Sequence, residues 1–366
     1  MSNTQKKNVP ELRFPGFEGE WEEKKLESII KVNSGKEYKH LDKGDIPVYG
    51  TGGYMTSISE PLSEIDAVGI GRKGTINKPY LLEAPFWTVD TLFYCTPKKE
   101  TDILFILSLF RKINWKVYDE STGVPSLSKQ TINKINRFVP TNKEQQKIGK
   151  FFSKLDRQIE LEEQKLELLQ QQKKGYMQKI FSQELRFKDE NGNDYPEWEE
   201  TTIKEIAQIN TGKKDTKDAI TNGSYDFYVR SPIVYKINTF SYEGEAILTV
   251  GDGVGVGKGF HYVNGKFDYH QRVYKISDFK NYYGLLLFYY FSQNFLKETK
   301  KYSAKTSVDS VRKDMVANMK VPRPIYIEQE KIGQFIKKVD NKIKIQKQVI
   351  ELLKQRKKAL LQKMFI

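Results

Sequence analysis

Residues 140–152 read PTNKEQQKIGKFF, and residues 324–336 read PIYIEQEKIGQFI. Pro140, Glu144, Gln145, Lys147, Ile148 and Gly149 in the first stretch recur as Pro324, Glu328, Gln329, Lys331, Ile332 and Gly333 in the second. From there the register holds without a gap to Ile180-Phe181 and Met364-Phe365. A chain that repeats itself over such a length is built from copies of one structural unit, so the repeat decides the architecture before any single motif is weighed.

Working outward, Leu12-Arg13-Phe14 and Trp21-Glu22-Glu23 open one copy, and Leu185-Arg186-Phe187 and Trp198-Glu199-Glu200 open the other. Ser34-Gly35-Lys36 answers Thr211-Gly212-Lys213, and Val124-Pro125-Ser126-Leu127 answers Val308-Asp309-Ser310-Val311. The glycine-rich stretch Gly69 to Gly74 is aligned with Val250 to Gly255. The last forty or so residues of each copy keep step, while the parts before them differ in length and sequence. That division separates a divergent part that recognises from a constrained part that packs.

The constrained part reads as a long helix. In the first copy Ile148, Phe152, Leu155, Ile159, Leu166, Leu169, Tyr176 and Ile180 fall on alternating steps of four and three once Glu162 and Lys173 fill the gaps. The second copy gives Ile332, Ile336, Val339, Ile343, Gln346, Ile350, Leu353, Lys357, Leu360 and Met364. This is the heptad seam of a coiled coil, and polar residues at the same two registers pin partner and register. Pro140 and Pro324 mark the starts, and Thr141 with Glu144 spells a capping box. Each helix would run roughly 55–60 Å at about 1.5 Å per residue. The two helices are expected to pair with each other; the alternative is that each docks on its own globule. A second apolar line, Phe151, Leu161 and Leu168 with Phe335, Ile345 and Leu352, exceeds what a two-stranded coil needs and is assigned to docking of a further partner.

The chain has 366 residues, 38% hydrophobic and 13% aromatic, enough for two domains with real cores. Its net charge of +14 is spread along the whole sequence, which suits a polyanion presented over a wide surface, as duplex DNA is. The single cysteine, Cys95, allows no internal disulfide and fits a reducing cytoplasm. The N-terminus lacks the apolar stretch of a secretory signal. The most apolar runs, Ile103 to Phe110 and Gly284 to Phe291, are far short of the ~20 residues that span a bilayer and read as buried helices. No membrane association is expected, and the expected location is cytoplasmic.

Several motifs fail on their spacing. The glycines of residues 250–259 (VGDGVGVGKG) miss the dinucleotide pattern, and Gly259 stands where a phosphate-binding loop needs Ser or Thr. Asn77-Lys78-Pro79-Tyr80 resembles the Asn-Pro-Pro-Tyr motif of amino-methyltransferases, with no cofactor strand and turn before it. His40, His261 and His270 are too scattered for a metal site, and no catalytic triad assembles. What remains is short β-prone runs, glycine-rich connections and one apolar helix per copy, which is an α+β pattern. Polar loop residues suited to phosphate and base-edge contacts are Lys36, Tyr38, Lys39, His40, Arg72, Lys73, Asn77 and Lys78 in the first copy. In the second they are Lys213, Lys214, Lys258, Lys305, Arg312 and Lys313.

The duplicated openings, the glycine/lysine stretches and the Pro-x-x-x-Glu-Gln-x-x-Ile helix starts, each followed by a seam, resemble the specificity subunit of type I restriction–modification enzymes. The resemblance covers essentially the whole chain. It implies an α+β fold of two pseudo-symmetric, α/β-mixed target recognition domains joined by two long helices that form an antiparallel coiled coil. Residues 1–140 would be the first recognition domain, 141–184 the central helix, 185–323 the second recognition domain and 324–366 the C-terminal helix. Each domain would read half of a bipartite asymmetric site in double-stranded DNA, with the helices setting the spacer. It further implies docking of two adenine methyltransferase subunits and of restriction subunits. The chain itself would be non-catalytic and hold no cofactor; S-adenosylmethionine, ATP and Mg would belong to those partners. The competing readings are a stand-alone DNA methyltransferase or nuclease, and a coiled-coil scaffold with no DNA role.

Overall fold

A computed structural model describes residues 8–253, 255–300 and 310–366. The chain divides into two compact units, Met1–Lys165 with Gln346–Ile366, and Leu166–Ile345. Both dividing points fall inside long helices, so each helix contributes one portion to each unit.

In the first unit β1 (Glu22–Lys25), α1 (Leu26–Ile29), β2 (Ile30–Ser34), β3 (Lys43–Gly50), β4 (Gly53–Ile58) and β5 (Ala67–Gly71) come first. Then come β6 (Tyr80–Leu82), β7 (Trp87–Thr88), β8 (Leu92–Pro97), α2 (Ile103–Lys112), α3 (Lys129–Lys134), β9 (Asn136–Val139) and the first portion of α4 (Asn142–Phe181). The strands form sheets ordered β1-β9, β2-β8-β5-β6 and β4-β3-β7. The apolar run read from the sequence is α2, whose Phe105, Ile106, Leu109 and Phe110 are buried between sheet and α4. Trp21, just before β1, enters the same core with Ile148 and Phe152 of α4.

The second unit follows the same plan. It contains the rest of α4, then β10 (Glu199–Thr202), α5 (Ile203–Ile206), β11 (Gln208–Thr211), β12 (Tyr225–Tyr228), β13 (Val234–Ile237) and β14 (Tyr242–Val250). β15 (Phe260–Tyr269), β16 (Val273–Ser277), α6 (Gly284–Lys300), α7 (Lys313–Ala317), β17 (Lys320–Arg323) and the first portion of α8 (Tyr326–Met364) complete it. Here β10 pairs with β17, and the other six strands form one sheet, β11-β16-β14-β15-β12-β13. The uninterrupted β15 does the work that β6 and β7 share in the first unit, pairing with β14 on one side and running parallel to β12 on the other. Pro85 lies between β6 and β7 and has no N–H for a ladder, so the first unit's sheet is divided there.

The duplicated motifs are the joints of each unit. Glu144, 1% exposed, accepts from Arg13 Nε at 2.8 Å and Nη2 at 2.7 Å. This corrects the capping-box reading: the carboxylate is turned to Arg13, and among the described residues no bond between it and Thr141 is made. Glu328, 0% exposed, accepts from Arg186 Nη2 at 2.9 Å and from Trp198 Nε1 at 2.9 Å. Gln145 donates to Pro140 O (2.9 Å) and accepts from Asp102 N (3.1 Å), tying the start of α4 to the start of α2. Gln329 does the same with Pro324 O (2.7 Å) and Tyr283 N (2.7 Å). Gly149 is required by this packing: a Cβ there would lie 2.6 Å from Phe105 N.

Within each unit the helix portions pair antiparallel along the expected seam. In the first, Lys357 pairs with Asp156, Lys354 Nζ lies 2.6 Å from Glu163 Oε1, and Gln346 Nε2 donates to Glu162 Oε2 at 2.6 Å. In the second, Lys173 Nζ lies 2.6 Å from Asp340 Oδ1 and the Tyr176 ring packs edge-on against Phe335. Ile148, Phe152, Leu155, Ile159, Ile180, Ile332, Ile336, Ile343 and Ile350 are buried, and Leu166, Leu169, Val339 and Leu353 are half-buried. One seam position is corrected. Tyr176 is 39% exposed and Met177 is buried instead, as a 3.6-residue turn drifts off a strict heptad toward the helix end. The helix ends also dock on the globular parts: Met177 and Ile180 join the second unit's core, and Leu361, Met364 and Phe365 join the first's.

Candidate nucleic-acid interface

In the first unit three loops leave one end of the sheet around the start of β8, where Ser34 pairs with Phe93 and Gly71 with Leu92. Between β7 and β8 lies a β-turn, Val89-Asp90-Thr91-Leu92, closed by Leu92 N donating to Val89 O at 3.0 Å. On one side Gly35 N donates to Leu92 O and Lys36 N to Thr88 O (2.8 Å). On the other, Arg72 N (2.8 Å) and Lys73 N (3.3 Å) donate to Thr91 O. A third segment is laced to the second, with Leu127 N donating to Arg72 O and Gly74 N to Pro125 O. Gly35 permits this grip, since a Cβ would stand 2.0 Å from Val89 O. A shallow groove of about 370 Å³ results, lined by Ser34, Arg72, Lys73, Phe93, Ser126, Leu127, Ser128 and Lys129. Arg72 lies with its guanidinium 5.9 Å from the Phe93 ring centre.

The second unit builds the same turn and the same contacts from the second and third loops, while on the side of the first loop the turn donates to the loop instead of accepting from it. Its turn is His270-Gln271-Arg272-Val273, closed by Val273 N to His270 O at 2.9 Å. Gln271 N donates to Lys214 O, Gly251 N to Arg272 O, and Val311 N to Gly251 O. A Cβ on Gly212 would stand 1.9 Å from Tyr269 O. The strand pairings Gly71↔Leu92 and Val250↔Val273 make Arg72 equivalent to Gly251 and Lys73 to Asp252. This corrects the sequence alignment of the glycine stretch by two residues: glycines recur there, but strand pairing sets the register. Where the first unit has Lys73, the second has an acid, and Arg230 Nη1 (3.7 Å) and Arg272 Nε (3.6 Å) flank it.

Beneath the turn, His270 is 2% exposed. Its Nδ1 accepts from Arg272 N at 2.9 Å, so the neutral ring carries its proton on Nε2, which faces Asp215 Oδ2 at 3.6 Å. Burial holds this imidazole below its ordinary range, against the pull of Asp215. Asp215 sits below the usual carboxylate range, held first by Lys217 N–H. His270 is thus structural, shaping the turn rather than facing solvent.

The structure brings Lys36 to one side of the turn and Arg72 and Lys73 to the other, with Asn77 and Lys78 exposed in the same β5–β6 connection as Arg72 and Lys73. Lys39 and His40 are exposed beyond β2, while Tyr38 is half-buried against the small cluster of Val48, Ile58 and Trp87. In the second unit Lys213 is exposed and Lys214 half-buried; Lys258 caps the β14–β15 connection, and Arg312 and Lys313 start α7. Lys305, like Lys301, Val308, Asp309 and Val254, lies outside the described residues. Sequence reasoning missed Asp90, Lys129, Arg230, Gln271 and Arg272, because what distinguishes them is the register of distant strands.

Of the second apolar line, Phe151 packs on Phe14 (ring centres 5.5 Å apart) and Phe335 on Phe187 (5.5 Å), so both are half-buried within their own units. Leu161, Leu168, Ile345 and Leu352 are 48%, 54%, 59% and 64% exposed. Among the described residues no helix is long and apolar enough to cross a membrane, and no group of His, Cys, Asp and Glu could hold a metal ion.

The chain is 25% identical to the MjaVIII specificity subunit of a type I restriction enzyme from Methanocaldococcus jannaschii, over 82% of this chain and 75% of that one. It is 25% identical to the EcoDI specificity subunit of Escherichia coli over 45% of this chain and 37% of that one. Among solved structures, the S subunit of a type I restriction–modification system from M. genitalium shares the fold with a TM-score of 0.71 at 16% identity, covering 98% of this chain and 99% of that one. A chain from a type I system studied for its assembly and conformational transition gives a TM-score of 0.51 at 13% identity, with 94% and 97% covered. The model of the type I restriction modification DNA specificity domain matches residues 18–171 and again 195–355. The chain therefore belongs to the type I restriction–modification DNA specificity domain family and carries that domain twice.

Proposed function

We propose that this chain reads a bipartite, asymmetric sequence in double-stranded DNA, one half-site per unit, on behalf of a type I restriction–modification complex. The observation that carries this reading is the turn built twice, closed and held by three matching backbone hydrogen bonds in each unit, with different side chains on its rim. A shared frame with divergent side chains suits two different half-sites. Lys36, Arg72, Lys73 and Lys129 in one unit, and Lys213, Arg230 and Arg272 in the other, supply cations for phosphates.

The chain serves as a non-catalytic subunit. Two adenine methyltransferase subunits bring S-adenosylmethionine, and restriction subunits bring ATP- and Mg-dependent cleavage. Leu161, Leu168, Ile345 and Leu352, exposed on the paired helix portions, are the side chains offered to the methyltransferases. The helices set the spacer between half-sites.

Exchanging residues 1–140 for those of another family member tests the reading by mapping methylated adenines genome-wide. One half of the methylated motif should change and the other persist; a change in both halves, or in neither, rejects the division of labour. Lys73→Ala should weaken binding and flatten its salt dependence by about one phosphate contact.

A further inference from the structure

The gripped turn carries, at its second position, the residue most directly presented by the frame: Asp90 in the first unit and Gln271 in the second, both exposed. The backbone N–H groups of Lys36, Arg72 and Lys73 bond to Thr88 and Thr91 on either side of Asp90, yet among the described residues no hydrogen bond or ion pair engages its carboxylate. We propose that this position reads a base in each half-site, Asp90 a cytosine and Gln271 an adenine. The proposal rests on the DNA-reading assignment above and adds the residue and the base.

The argument is one of charge and donor pattern. A free carboxylate amid cations that bind phosphates cannot itself be a phosphate contact, because two anions repel. It needs a donor, and the major-groove base donors are cytosine N4 and adenine N6. Beside adenine N6 lies the N7 lone pair, which repels the second carboxylate oxygen, so cytosine is the better match. At the equivalent place in the second unit stands an amide. Gln271 Nε2 donates one proton to Asp215 Oδ2 at 3.2 Å, leaving its other N–H and its Oε1. That pair complements adenine N7 and N6. Asp215 is a positioning residue here, since it fixes which end of the amide is the donor. Both side chains start from backbone held by the surrounding loops, so little freedom is lost when a base is met.

The test uses the complex assembled with its methyltransferase and restriction subunits and a duplex library randomised across the site, with bound sequences recovered. Asp90→Ala should lower the preference for one cytosine by roughly ten- to a hundredfold and leave the other half-site untouched. Asp90→Asn should move the preference at that position from cytosine toward adenine. Gln271→Ala should relax one adenine in the other half-site, and Gln271→Glu should move it toward cytosine. The half-site left unaltered in each variant confirms that the protein is folded and bound. Variants that keep every wild-type preference, or that weaken all sequences alike, overturn the proposal while leaving DNA reading in place. A wild-type complex that recovers no two-part motif removes the assignment beneath it, and the proposal with it.

Discussion

Glu144 and Glu328 each tie the opening of a repeat to the start of its long helix. Arg13 and Arg186 reach them bidentately, and Trp198 adds a third donor to Glu328. Removing the charge from a buried pair strands the other member, at a cost of about 3–5 kcal/mol. Glu144→Gln and Glu328→Gln should each destabilise their unit on that scale in urea unfolding, Glu328→Gln the more, because Trp198 Nε1 loses its charged acceptor as well. A loss under ~1 kcal/mol for either would mean that the pair does not hold the joint. His270 makes a second residue-scale test. Its folded imidazole titrates below its ordinary range because burial, and secondarily the Arg230 charge, favour the neutral ring against Asp215 and Asp252. The unfolded chain therefore takes up the proton first, and the second unit should lose stability as pH falls below ~6.5, with no contribution above ~7. His261, also lowered by burial, acts in the same direction, so His270→Gln should reduce the slope between pH 7 and 5 without abolishing it. An unchanged slope would assign the whole effect elsewhere.

The helices were the most legible elements, because a heptad repeat shows in sequence which side chains meet. Even the polar seam position at Glu162 and Gln346 proved to be a contact, with Gln346 Nε2 bonded to the Glu162 carboxylate and to Glu162 O at 3.0 Å. Polar seam pairs fix register at the expense of packing. Gln346→Leu alone should destabilise the pair by removing the hydrogen bond to Glu162, whereas Glu162→Leu with Gln346→Leu, which sets apolar side chains at both facing seam positions, should recover or exceed wild-type stability. A double variant less stable than the single one would show that the hydrogen bond outweighs its burial cost. The sheets were less legible. Strands as short as Trp87–Thr88 fall below any window in which alternation can be counted. The reading turn escaped for a related reason: Asp90 and Gln271 look ordinary until strand pairing sets Ser34, Gly71 and Leu92 side by side.

At the scale of the whole molecule, the order of the repeats along the chain is not the order in which they pack. Sequence gives each copy its own trailing helix, and the seam shows which faces are apolar, but a seam does not say which globular part a helix end completes. Here the first unit is closed by the chain's last residues. Phe365 stacks on Phe105 at 5.5 Å and meets Trp21 edge-on at 6.1 Å, with Leu361 and Met364 beside it, and Lys363 O accepts from Leu12 N. The consequence is directional. Phe365→Ala should cost about 3–5 kcal/mol, and the whole of that loss should fall on the N-terminal repeat, hundreds of residues away in sequence. Deleting residues 351–366 should go further and expose Glu22–Lys25, Ile103–Lys112 and Asn136–Val139 to hydrogen exchange, while Tyr242–Val250 and Phe260–Tyr269 stay protected. Protection lost first in the C-terminal repeat, next to the cut, would mean that each copy folds on its own helix after all. Selective loss in the first repeat would mean that the N-terminal copy is completed by residues that follow the C-terminal one, whereas the second unit needs nothing beyond Ile345.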